Sequence, residues 1–149
     1  MSHVAKIVLD IKDLAALATA GAARGLIYDP AATTYAWWGY SVGDYPLPDG
    51  FTAADLGKCD AGVLRVKDAA EGDFEIGVCK RKDGKPGYEL LFDFFGHRAQ
   101  GLLKALGDQT GKALKQEYAA AVASKMYAKN GYKVQRKDQN GRIVLTATK

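Results

Sequence analysis

The sequence predicts an α+β fold, a mostly antiparallel sheet with helices packed on one face, in the order β-α-β-β-β-β-α-α-β-β. Three observations carry this. Short alternating or β-branched runs recur, joined by Gly-, Asp- and Lys-rich links of hairpin length. A long helical stretch, 97–129, follows them. Asn140-Gly141, the strongest short hairpin signal, then turns a closing pair of strands. The 149 residues read as a single domain, 1–149, with an irregular Gly/Pro-rich loop at 39–61.

Each element has a local reason. Val4–Ile11 alternates, with Ala5, Ile7, Leu9 and Ile11 on one side, and reads as a first strand. Asp13 is placed to cap a helix starting at Leu14, and Gly25 to end it. Leu14, Leu17, Ala18 and Gly21 form that helix's small-residue stripe, suited to close packing on a sheet. Thr33–Trp38, β-branched and aromatic, reads as the second strand. Thr52 caps a short helical turn through Leu56 inside the loop. Gly62–Lys67, Phe74–Lys80 and Tyr88–Phe95 follow as three strands, joined through Asp68–Asp73 and Lys82–Gly87. Phe74, Ile76 and Val78 share one face, while Tyr88–Phe95 is apolar on both and reads as central. The helical stretch breaks around Gly107–Gly111, and its long piece, Lys112–Lys129, stops at Asn130-Gly131. In the last hairpin, Tyr132–Lys137 and Arg142–Thr148, the face of Tyr132, Val134, Ile143, Leu145 and Ala147 is expected to be core.

Composition excludes several classes. With 48% hydrophobic and 26% charged residues, the chain needs neither disulfides nor metal to hold a core. Its two cysteines, Cys59 and Cys79, form no framework and read as reduced thiols. Lys6, Asp10, Lys12 and Asp13 interrupt the early apolar residues, so no signal-peptide core is expected. No apolar run approaches the roughly 20 residues of a membrane span. A cytoplasmic or equivalent reducing location is expected, without membrane attachment.

Charge is distributed unevenly. Residues 97–149 hold eleven Lys/Arg against three acids, a balance of +8, whereas residues 1–96 carry −4. The basic part supplies a candidate binding surface: Lys112, Lys115, Lys125, Lys129, Lys133, Lys137 and Arg142. On the long helix, Leu114, Tyr118, Val122 and Met126 form one stripe, with lysines on the same side and Ala113, Ala120 and Ala123 across from it. Either the large stripe is buried with lysines at its edges, or the alanine face is buried and a Lys/Leu/Tyr/Met surface is presented. The second arrangement suits a protein partner. Trp37, Trp38, Tyr40 and Tyr45, beside Tyr35, form a candidate aromatic interface, with core packing as the competing role.

Several blocks resemble a known family. Met1-Ser2-His3, the Lys6-Ile7 strand and Asp10-Ile11-Lys12-Asp13-Leu14 are similar to its N-terminal signature. Phe74-Glu75-Ile76-Gly77 and Tyr88-Glu89-Leu90 with Asp93 resemble its central hairpin. Gln116-Glu117-Tyr118-Ala119, Gly131-Tyr132-Lys133-Val134 and Asn140-Gly141-Arg142-Ile143-Val144-Leu145 resemble its C-terminal block. It is the family named "hypothetical chloroplast reading frame thirty-five", with members in plastids, cyanobacteria, other bacteria and phages. Residues 35–60 depart from its pattern. The family has no established biochemical activity. Its genes are often reported beside those of AAA-type ATPases, so the resemblance implies a protein partner more than a substrate.

No catalytic, cofactor or metal motif competes strongly. Asp93, His97 and Arg98 lack a nucleophile at a telling spacing. Cys59, Cys79 and His97 are too far apart in sequence for an ordinary zinc site. Lys82–Gly87 lacks phosphate-loop spacing and precedes no helix. The expectation is a non-catalytic domain that binds another protein or itself, without a cofactor. Nucleic-acid or other polyanion binding through the basic surface is the alternative, and an enzyme with an unrecognised site the second alternative.

Overall fold

Five strands, β1 (Val4–Ile11), β2 (Leu26–Asp29), β3 (Val63–Val66), β4 (Ile76–Lys80) and β5 (Tyr88–Asp93), form a sheet in the order β1-β5-β4-β3-β2. Every neighbouring pair is antiparallel. This is seen in a computed structural model of the chain, which describes residues 2–149. The helices α1 (Leu14–Ala23), α2 (Gln100–Leu106) and α3 (Lys112–Lys129) share one hydrophobic cluster with the sheet. The hairpin β6 (Lys133–Gln139) and β7 (Arg142–Thr148) forms a separate two-stranded sheet. The α+β class and the predicted element order both hold.

One strand lies elsewhere than expected. Thr33–Trp38 forms no strand, only a single bridge between Thr34 and Lys58, and β2 is Leu26–Asp29 instead. Leu26, Ile27 and Tyr28 run between Gly25 and Pro30 and zip onto β3. The 33–38 segment crosses the sheet's other face and satisfies its backbone there. Tyr35 N–H donates to Gly57 O at 2.9 Å, and Ala36 O accepts from Glu75 N–H at 3.0 Å. Its β-branched and aromatic composition reflects packing on a sheet, not membership of one.

Both faces of the sheet are therefore covered. On the helical face, Ile7, Leu64, Ile76, Val78, Leu90 and Phe92 meet Leu17, Leu102, Leu106 and Leu114. On the other, Val63, Cys79 and Leu91 meet Tyr35, Phe51 and Leu56 from the loop. The loop's turn is a 3-10 helix, Ala53–Asp55, with Thr52 and Asp55 in a capping box. Gly77, in the middle of β4, is the seat of Tyr35: a Cβ there would lie 2.7 Å from Tyr35 Cε1 and nearer still to Cδ1. As expected from its two apolar faces, β5 is an interior strand.

Helix α1 starts where Asp13 was expected to cap it, the carboxylate accepting from Ala16 N–H at 3.0 Å. Its buried side is Ala16, Leu17, Ala20 and Gly21, rotated from the Leu14-Leu17-Ala18-Gly21 stripe, because Gly21 lies against Leu64 and Leu26. The alanine-rich stretch lets more than one stripe look apolar.

At the chain's other end, Asn140 (φ 52°) and Gly141 (φ 76°) form the tight turn between β6 and β7. Two successive positive φ values suit the right-handed twist of the flanking strands. The hairpin's inner face was expected to be core. Val134, Ile143, Leu145 and Ala147 are instead half-buried, because the hairpin rests chiefly on α3 and joins neither core cluster.

Candidate interaction surface

Helix α3 divides into two halves with different surroundings. Leu114 (0% exposed), Glu117, Tyr118 and Ala120 are buried against the body. Beyond them the helix outruns the core, leaving Val122 37% and Met126 55% exposed. Burial of the large stripe thus holds for the inner half, whereas the outer half presents Val122 and Met126 without burying Ala123, which stays half-buried. The large stripe is buried in its first turns and presented to solvent in its last.

Polar contacts fix this pose. The Tyr118 hydroxyl accepts from the backbone N–H groups of Lys12 and Asp13, each at 3.2 Å, at the β1–α1 junction. Lys125 Nζ reaches Asp13 Oδ2 at 2.8 Å. That contact and the cap to Ala16 N–H hold the Asp13 carboxyl below its ordinary value of 3.8. The folded value lies below the unfolded one, so its stabilisation is fully present above pH 3.8 and is lost as pH falls through the folded value. Asp13→Ala is expected to cost about 1 kcal/mol at neutral pH. In urea titrations at a series of pH values, the gap between wild type and variant should close as pH falls below 3.8. A gap of constant size would separate the effect from Asp13 ionisation.

Across α3, Arg136 clamps the hairpin down. Its guanidinium donates to Glu117 Oε2 and Oε1 at 2.7 and 2.6 Å and to Asp138 Oδ1 at 2.7 Å. Glu117, then Asp138, raise the Arg136 pKa above the ordinary arginine value, and Arg136 lowers that of Asp138. Neither Glu117 nor Arg136 was singled out from the sequence. A signal was present: Arg136 and Asp138 share the parity of Val134 on the inner face, so they had to meet a partner there.

Two open hollows flank the ridge of Ala119 and Ala123. One, of about 550 Å³, lies between β1 and α3 and is lined by Leu9, Tyr118, Val122 and Met126. The other, of about 480 Å³, lies between α3 and β7, with Tyr127, Ile143 and Leu145. Both are lined by Ala119 and Ala123, so the apolar surface is continuous from β1 to β7.

The seven basic residues do not gather into one patch. Lys115, Val122, Met126 and Lys129 follow one another along the outward side of α3. Lys133 and Lys137 lie on the hairpin face turned away from α3, with Thr146 and Thr148. Lys112 stands at the start of α3, and Arg142, beside the β-turn, borders the α3–β7 hollow. Lys125 is paired with Asp13. Among the described residues, the other six have no carboxylate within 4.0 Å.

The aromatic group separates too. Trp37 is half-buried against the second core cluster, its indole over Gly57. Tyr45 packs edge-on against His3 and Phe94, at ring-centroid distances of 5.0 and 5.2 Å. Trp38 and Tyr40 are exposed, with ring centroids 6.2 Å apart.

The polar groups weighed for chemistry have other tasks. Asp93 is fully buried and accepts from the backbone N–H groups of His3, Phe95 and Trp38 at 3.1 Å each. Arg98 donates to Gly72 O, and His97 is exposed in a 3-10 turn before α2. Cys79 is buried, and burial pushes its thiol up to about 12; burial raises Cys59 as well. Lys82–Gly87 is the β4–β5 connection, where Asp83 is held down to about 2 by Arg81. Among the described residues no helix is long and apolar enough to cross a membrane. No family model, curated protein or solved structure matches the chain.

Proposed function

We propose that this chain is a non-catalytic domain that binds another protein through the outer half of α3 and the adjoining faces of β1 and β7. The observation that carries the reading is the exposure of Val122 and Met126 in an apolar hollow that meets a second one across Ala119 and Ala123, on a helix whose inner half is firmly packed. Exposed apolar side chains grouped on a rigid element and rimmed by charge are the usual makings of a protein interface. The resemblance to the "hypothetical chloroplast reading frame thirty-five" family supports the same reading and adds an AAA-type ATPase as a partner class. Polyanion binding is the weaker reading, because the unpaired cations face two sides of the α3–hairpin layer and leave no single track for phosphates.

Site-specific cross-linking tests this. Met126→benzoylphenylalanine, photolysed in a lysate of the source cell, should give one dominant protein adduct. The same replacement at exposed Lys104 should give none. Equal adducts at both positions, or none at Met126, would remove the α3 surface as the binding site.

A further inference from the structure

Resting on that reading, we infer that the occupant of this surface is an acidic amphipathic helix, apolar at its centre and carboxylate-bearing towards both ends. The outward stripe of α3 runs Lys115, Ala119, Val122, Met126, Lys129, so its apolar middle has an unpaired cation at each end. The two lysines are about 20 Å apart along the axis, at 1.5 Å per residue. Arg142 adds a third unpaired cation at the start of β7. The acids on the rim, Asp10 and Asp13, are already engaged by Arg81 at 3.0 Å and Lys125 at 2.8 Å. Positive charge on the rim is therefore uncompensated, and a complementary partner supplies carboxylates.

Shape selects a helix. The low Ala119–Ala123 ridge between two hollows admits a second helix at close range, its side chains dropping to either side. A strand has a poorer seat, because the pairing register of β1 shifts between Ile7 and Ile11. A second copy docked about a two-fold axis would set lysine against lysine, Lys115 against Lys129 where the helices run antiparallel. Phosphates of a nucleic acid would gain nothing from the Leu9, Val122 and Met126 hollow.

The probe is a synthetic helical peptide of about 18 residues, above the length at which isolated helices hold. It carries leucines at i, i+3/i+4 and i+7 in its middle and glutamates towards both ends. Three further ligands are a scrambled peptide of the same composition, a lysine-for-glutamate peptide and a short DNA duplex. Fluorescence anisotropy should show the acidic amphipathic peptide binding with a Kd on the order of 10 μM. The scrambled and basic peptides should bind at least about tenfold more weakly. Met126→Glu should weaken the acidic peptide about tenfold, and Lys129→Glu should weaken it with a flatter salt dependence. Circular dichroism of both variants should match wild type, since the two side chains are exposed.

Equal binding of the scrambled peptide, tighter binding of DNA, or a dimer in sedimentation that Met126→Glu dissolves would each overturn the inference. So would absence of peptide binding. If the Met126 cross-link still forms in that case, the protein-binding reading survives and the acidic helix alone is wrong. If the cross-link also fails, both fall.

Discussion

Replacing Gly77 with alanine should destabilise the protein by about 2–3 kcal/mol and Tyr35 with alanine by about 3–5 kcal/mol, yet the pair together should cost clearly less than the sum. Tyr35 is 2% exposed and lies on the one residue of β4 that lacks a side chain. A methyl group on Gly77 would collide with the ring, and Val63, Cys79 and Leu91, in the same cluster, leave the ring little room to retreat. Truncating Tyr35 opens a cavity, into which the new methyl then fits. Urea denaturation of the four proteins in the cycle measures the coupling. Strict additivity would mean that the two residues do not meet. The effect matters for the whole second face, because Tyr35 ties the 30–61 loop to the sheet.

A second large effect is expected at Arg136. Arg136→Met strips Glu117, only 8% exposed, of its charge partner. Loss of one partner of a fully buried pair costs about 3–5 kcal/mol. With the Arg136 side chain 39% exposed, solvent screening lowers that to an expected cost on the order of 2 kcal/mol. The cost falls locally, because the hairpin touches little besides α3. In hydrogen exchange, amides of β6 and β7 should lose protection while those of β4 and β5 keep theirs. The double change Glu117→Gln with Arg136→Met should recover part of the loss, since no unpaired charge remains. Uniform loss of protection across the protein would show that the hairpin is not a separate unit. Undocking would also remove one wall of the α3–β7 hollow, so the same variant links stability to binding.

The fold was legible wherever one pattern dominated its window. The alternation of Val4–Ile11, the cap at Asp13, the helix break at Gly107–Gly111 and the Asn140-Gly141 turn all have a single local cause, and each lies where that cause puts it. Competition between segments was not legible. Leu26–Asp29 and Thr33–Trp38 both suit a pleated surface, and only the register with β3 decides which one pairs. The candidate surface was half legible. Periodicity identified the Leu114-Tyr118-Val122-Met126 stripe, but helix length relative to the core decides where burial stops, and that is a tertiary quantity. The lysines were readable as a count and not as a patch, because the hairpin carries Lys133 and Lys137 to the side opposite α3's own.

The place of β1 in the sheet has a consequence for how the chain is made. Its partner is β5, with Val4 opposite Asp93 and Ile11 opposite Tyr88, so the ladder joins positions about eighty residues apart. During synthesis β1 must wait until β5 has been translated. All other strand pairs of the sheet close over shorter loops. Until β5 is made, Ile7 and Ile11 lack the sheet neighbours that bury them and are free to seek other edges. Crowded expression should therefore punish slow translation of the stretch before β5 more than any delay after it.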